Sequence, residues 1–160
     1  MGGGSTRAPV MALVAVGANL GDARRAVTAA IEALDRLPHS RCIRVSALYR
    51  TAPFQAQGPD FINAVVQLET ALTAPDLLTA LQALETAAGR ERPYPNAPRT
   101  LDLDVVMYGE ASVSSPRLTL PHPRWRERAF VVCPLSDVAP ELVSKALLAA
   151  VADQTIERVE

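Results

Sequence analysis

The chain has 160 residues, of which 49% are hydrophobic and 21% charged, with a formal net charge of −1. That balance suits a folded domain with its own core and argues against disorder, membrane insertion and general electrostatic binding of nucleic acid. Cys42 and Cys133 lack the CxxC or Cys/His spacing of a zinc site and read as buried free thiols in a reducing compartment, the cytoplasm.

Residues 1–9 (MGGGSTRAP) read as a disordered tail and residues 10–160 as a single domain, expected to be monomeric. Met11 to Gly17 is an apolar β-type run, and Ala18 to Asp22 (ANLGD) carries turn residues. Asp22 then caps a helix whose stripe is Val27, Ala30, Ile31 and Leu34, ending before Pro38. Cys42 to Tyr49 returns to a β pattern and leads into a loop at residues 55–60 (QAQGPD). In the next strand, Phe61 to Thr70, Ile62, Ala64, Val66 and Leu68 form the core side. Phe61 and Asn63 lie on the other side, as a ligand platform or as a solvated face with one aromatic.

Thr73 as N-cap, Pro75 in the first turn and Asp76 at the capping-box position start a second helix. Leu77, Leu81, Leu84 and Ala88 are its buried stripe, Gln82 and Glu85 sit beside that stripe, and Gly89 stops it. Residues 90–98 (RERPYPNAP) hold three prolines and read as a mobile or substrate-covering loop.

Leu101, Leu103, Val105 and Met107 then alternate with Asp102 and Asp104, which puts both carboxylates on one face of a strand. Like charges so placed make most sense around a cation, although a solvated edge strand shows the same pattern. Arg90, Arg92, Arg99, Arg117, Arg124, Arg126 and Arg128 flank this strand, as an anion site or a salt-bridged surface. Residues 111–113 and 117–120 suggest a small hairpin ended by Pro121-His122-Pro123, and residues 124–128 a helical turn. Ala129 to Leu135 (AFVVCPL) reads as an irregular strand because of Pro134, and Glu141 to Val151 as a C-terminal helix. The order is βαββαβ with an extension, an α+β ferredoxin-like sandwich whose helices cover one face of an antiparallel sheet. No GxxxxGK[ST], GxGxxG or GxSxG occurs, so phosphate handling would fall to arginines and metal.

The segments VGANLGD (16–22), SALYRTAPF (46–54), DFINAVVQLET (60–70), LETAAGRER (84–92), PRTLDLDVVMYG (98–109) and LTLPHP with RAFVVCPLSDVAP (118–140) together resemble the 6-hydroxymethyl-7,8-dihydropterin pyrophosphokinases of folate biosynthesis. The resemblance implies pyrophosphoryl transfer from ATP to the pterin hydroxymethyl group, with two Mg²⁺ ions held by Asp102 and Asp104. It further implies that Phe61 and Phe130 sandwich the pterin, that Asn63 and Thr51 bond its polar edge, and that Ala52 and Phe54 line its pocket. Gln82, Glu85, Arg92, Arg117, Thr119, His122 and Arg128 fall on ATP-side positions, with Arg90 and Arg99 in the loop and its base as catalytic residues. Ala18 replaces a usual serine and Asn96 a frequent tryptophan, for which Trp125 either compensates or simply covers the rim of the site. The partners implied are ATP and the pterin, with no nucleic acid and no membrane. A metal-dependent phosphoesterase using Asp102, Asp104 and His122, or a ferredoxin-like binding module, is the alternative.

Overall fold

The seven apolar residues between Met11 and Gly17 would be excessive for a strand with one wet face, and the computed structural model shows why they are there. It describes residues 8–19, 21–52, 58–89 and 101–159. Strand β1 (Val10–Ala18) lies in the middle of a sheet and is covered on both sides. Helix α1 (Ala23–Asp35) follows, then β2 (Ser40–Val45), β3 (Leu48–Thr51), β4 (Phe61–Thr70), α2 (Ala74–Ala88) and β5 (Asp102–Tyr108). The sheet order is β5-β1-β4-β3, with β2 also paired to β4 and every pairing antiparallel. This is the expected ferredoxin-like arrangement.

Local chemistry sets the helix starts. Asp22 accepts a hydrogen bond from the Arg25 N–H, and Thr73 one from the Asp76 N–H. On one face of the sheet Val14, Val16, Ala64, Val66, Leu103 and Val105 pack against Val27, Ala30 and Leu34 of α1 and Leu77 and Leu81 of α2. Each large apolar side chain buried there contributes roughly 1.5–3 kcal/mol. Leu84 is only partly buried and Ala88 is exposed, so the stripe of α2 fades toward its end.

The expected single strand at 42–49 is two strands, parted at Ser46, whose hydroxyl accepts from the Val65 N–H and donates to the Ala47 carbonyl. In β5 the expected alternation breaks. Leu13 pairs with Met107 and Val14 with Val105, leaving Val106 as an extra residue. That bulge turns Val106 to the second face and returns Tyr108, not Met107, to the first.

The largest departure follows the small hairpin of β6 (Val113–Ser114) and β7 (Thr119–Leu120) and a 3₁₀ turn at Trp125–Glu127. Residues 129–135 are not a strand but part of helix α3 (Ala129–Val138), with Pro134 inside it. Period alone cannot separate a buried strand from a buried helix in so short an apolar run. The second face of the sheet, with Leu13, Ala15, Val65 and Val106, takes up Val131, Val132, Leu135 and Val138 of that helix. Both faces therefore carry helices, contrary to the expectation of one open face. Trp125 is 2% exposed and belongs to this second core, not to the rim of a site. The expected C-terminal helix at 141–151 is a 3₁₀ turn at Pro140–Leu142 followed by the short α4 (Lys145–Ala150), which Ser144 caps. After it comes an unexpected strand, β8 (Ile156–Val159), which pairs with β3 and extends the sheet. Cys42 lies in β2 and Cys133 in α3, both half-buried thiols.

Candidate active site

Helix α3 covers only part of the second face. Beyond it, the ends of β1, β3, β4 and β5 form a cleft of about 210 Å³ lined by Ala15, Val16, Gly17, Thr51, Phe61, Asn63, Asp102, Asp104, Arg128 and Phe130. The strand register explains the grouping. Gly17 of β1 lies between Asn63 of β4 and Asp102 of β5, and Ala15 lies between Val65 and Asp104. Small residues on β1 thus make a floor, with an amide on one side and two carboxylates on the other.

Gly17 is required by space. It is not among the residues with positive φ, yet a Cβ there would come within 2.9 Å of Asn63 Oδ1. The Asn63 carboxamide lies against that bare backbone, and its Nδ2 donates to Thr51 Oγ1 at 2.8 Å. Both side chains are buried, so the bond fixes the direction in which the amide faces the cleft. Phe61, paired with Thr51 across β4 and β3, supplies one aromatic wall, and Phe130 from the first turn of α3 another. The Arg128 guanidinium lies 5.5 Å from the centre of the Phe130 ring, a cation–π distance. Arg128 Nε is buried with no hydrogen-bond partner among the described residues, as suits a side chain placed for an anion.

Of the expected pterin-side residues, Thr51, Phe61, Asn63 and Phe130 converge, whereas Ala52 is exposed and does not line the cleft. Phe54, Arg90, Arg92 and Arg99 lie outside the described residues. Of the expected ATP-side residues that are described, Arg128 reaches the cleft, Glu85 and His122 bond the backbone of β5, and Gln82, Arg117 and Thr119 do not line the cleft. Glu85 accepts the Leu103 N–H at 2.8 Å, between the two aspartates, and the His122 N–H donates to the Val106 carbonyl at 2.8 Å. Arg117 donates to Thr79 Oγ1 at 2.6 Å and to Gln82 Oε1 at 3.2 Å, and Thr119 is exposed on β7. Burial, then the cations of Arg128 and Arg124, hold the His122 imidazole below its usual pKa, with Asp102 pulling the other way. His122 Nδ1 accepts the Arg124 N–H, which sets its ring direction.

The floor residues Ala15, Val16 and Gly17 were not singled out from the sequence. Their signal was the small-residue end of the VAVGAN run, which reads equally as a strand terminus.

Two carboxylates, a guanidinium and two aromatic rings around one floor can hold a planar heterocycle beside a cation-bound anion. Residues 13–140 match the family model of 7,8-dihydro-6-hydroxymethylpterin-pyrophosphokinase. The 2-amino-4-hydroxy-6-hydroxymethyldihydropteridine pyrophosphokinase of Pseudomonas aeruginosa is 47% identical over 130 residues, covering 81% of this chain and 80% of that protein. The protein of the same name from Methylorubrum extorquens is 41% identical over 155 residues, covering 93% and 98%. Among solved structures, wild-type HPPK-DHPS of Plasmodium falciparum with pterin and p-hydroxybenzoate shares the fold at a TM-score of 0.69 and 13% identity. That match covers 92% of this chain and 43% of the longer one. The chain belongs to the 7,8-dihydro-6-hydroxymethylpterin-pyrophosphokinase family.

Proposed function

We propose that the protein transfers the β,γ-pyrophosphoryl group of ATP to the hydroxymethyl oxygen of 6-hydroxymethyl-7,8-dihydropterin, releasing AMP, with Asp102 and Asp104 holding two Mg²⁺ ions. The observation that carries this reading is the single cleft shared by Asp102, Asp104, Arg128, Asn63, Thr51, Phe61 and Phe130.

The donor set fits Mg²⁺. Among the described residues no group of three or more His, Cys, Asp or Glu side chains forms a complete cage. Two carboxylates on one strand face leave the remaining positions to phosphate oxygens and water, which is how Mg²⁺ is usually held beside a nucleotide. Bound there, the ions would offset charge at the phosphorus under attack and make the hydroxyl more acidic.

The chain itself does the positioning. Phe61 and Phe130 stack on the bicyclic ring, and the Asn63 amide, held by Thr51, bonds its polar edge. Arg128 stands over Phe130 at the border of the ring site and the anion site. Holding the hydroxymethyl oxygen in line with the phosphorus is the main contribution to rate, so Asp102 and Asp104 serve as ligands and not as acid or base.

The test is an assay of ATP consumption with and without the pterin. AMP formation that depends on the pterin, with the pterin diphosphate as co-product, is expected. Equal ATP breakdown without pterin, or release of inorganic phosphate, would point to the phosphoesterase instead.

A further inference from the structure

Helix α3 begins without a capping side chain of its own. Arg128, at the N-cap, has an extended backbone (φ −119°, ψ 110°), and its side chain makes no cap hydrogen bond. It is a joint between two helical pieces, the 3₁₀ turn before it and α3 after it. Gln154, from the segment after α4, grips this joint on both sides. Its Oε1 accepts the Ala129 N–H at 2.9 Å and its Nε2 donates to the Glu127 carbonyl at 2.7 Å. The bonded groups flank the residue whose side chain enters the cleft.

Two positions later Ile156 opens β8 and pairs with Thr51, which lines the cleft from β3. Ile156 also packs on the second core. Within three residues, 154–156, the chain therefore touches the backbone of both walls, the Arg128–Phe130 wall and the Thr51 wall. These residues lie beyond the 13–140 span that matches the family model.

We propose that Gln154 is a positioning residue for substrate binding. By holding the peptide groups at Glu127 and Ala129 it fixes the direction in which Arg128 and Phe130 enter the cleft, and with β8 it sets their spacing from Thr51. The inference rests on the assignment of Arg128 and Phe130 to the substrate site given above.

The experiment compares the full chain with Gln154→Met, Arg128→Ala and the double variant, reading kcat and the KM for ATP and for the pterin well below the unfolding temperature. Gln154→Met keeps the length of the side chain and removes both bonds. It is expected to raise both KM values about three- to tenfold, the range for loss of one or two hydrogen bonds, with kcat within about twofold. In the Arg128→Ala background the KM effect on ATP should vanish, because the clamp acts through Arg128. A merely structural role would lower the active fraction, and hence the apparent kcat, and leave KM alone. That result would overturn the proposal, as would an undiminished effect on the KM for ATP in the double variant. Gln154→Asn keeps the amide but cannot reach both peptide groups, so it should shift KM the same way even if the Met variant fails to fold. If Arg128→Ala leaves both KM values unchanged, the assignment of the site fails and takes the proposal with it. If Arg128→Ala raises KM and neither Gln154 variant does, the clamp alone is wrong.

Discussion

The Tyr49 hydroxyl donates a 2.8 Å hydrogen bond to Asp137 Oδ2 across 88 positions of sequence, joining β3 to the last turn of α3. The same carboxylate oxygen accepts the Ala47 N–H at 3.1 Å, so one side chain ties the helix twice to β3 and the residue that leads into it.

Burial first, and then the hydrogen bond and charge of Asp137, push the Tyr49 phenol up to about 12. The folded value is raised above that of the unfolded chain, about 10. The bond's contribution is therefore whole below pH of about 10 and is lost as the pH rises through the folded value. Tyr49→Phe should cost about 1 kcal/mol near neutrality. Urea denaturation of the two proteins at increasing pH checks this: the gap between them should close above the phenol's titration. A gap independent of pH would show that the hydroxyl is not the cause.

On the proposed reading, Asp102→Asn and Asp104→Asn should each lower pterin-dependent AMP formation by about a thousandfold or more, since each removes a charged ligand that no other carboxylate lining the cleft among the described residues replaces. Far-UV circular dichroism should stay unchanged, because both side chains face the cleft and not the core. Near-normal turnover in either variant would refute the ligand assignment. Removal of divalent cations with a chelator should abolish the wild-type reaction in the same assay.

Gly17→Ala places a methyl group within 2.9 Å of Asn63 Oδ1, so the carboxamide must turn and loosen its bond to Thr51. The pterin KM should rise about tenfold, as for loss of a well-placed buried hydrogen bond. The KM for ATP should change little, because the displaced group lies on the amide side of the floor. Titration calorimetry with each ligand separates the two; equal weakening of both would mean that the floor sets the anion site as well. Phe130→Ala should also weaken the pterin more than ATP.

Trp125→Ala should destabilise the protein by about 3–5 kcal/mol, the usual cost of emptying a large buried aromatic site. Its indole N–H has no hydrogen-bond partner among the described residues. Trp125→Phe therefore forfeits packing without breaking a polar contact and should cost less than half as much. Denaturant midpoints followed by circular dichroism give both values. A comparable loss in the two variants would indicate that the indole N–H is satisfied in solution.

Much of this architecture was readable in the residues, for reasons that differ from element to element. The starts of α1 and α2 were legible because Asp22 and Thr73 cap within three residues of themselves. The placement of Asp102 with Asp104, and of Phe61 with Asn63, follows from a two-residue period that survives until the bulge at Val106. Helix α3 was not legible, because its apolar run lacks polar punctuation and its helical state depends on a sheet face supplied by distant strands. The need for Gly17 was invisible because it comes from the oxygen of Asn63, 46 positions away. Strand β8 pairs with β3 and so depends on a partner more than a hundred positions earlier. Local signals carry capping and face; they do not carry contacts of this range.

Among the described residues strand β5 ends the sheet, and its outer side would offer unpaired backbone groups to any strand of another molecule. The Glu85 carboxylate and the His122 amide occupy two of those groups, at Leu103 and Val106. Asp102 and Asp104 place negative charge on the same strand. Joining two such strands side by side would bring four carboxylates together, which would oppose that pairing. Substituting both aspartates by alanine should therefore reduce solubility as well as turnover.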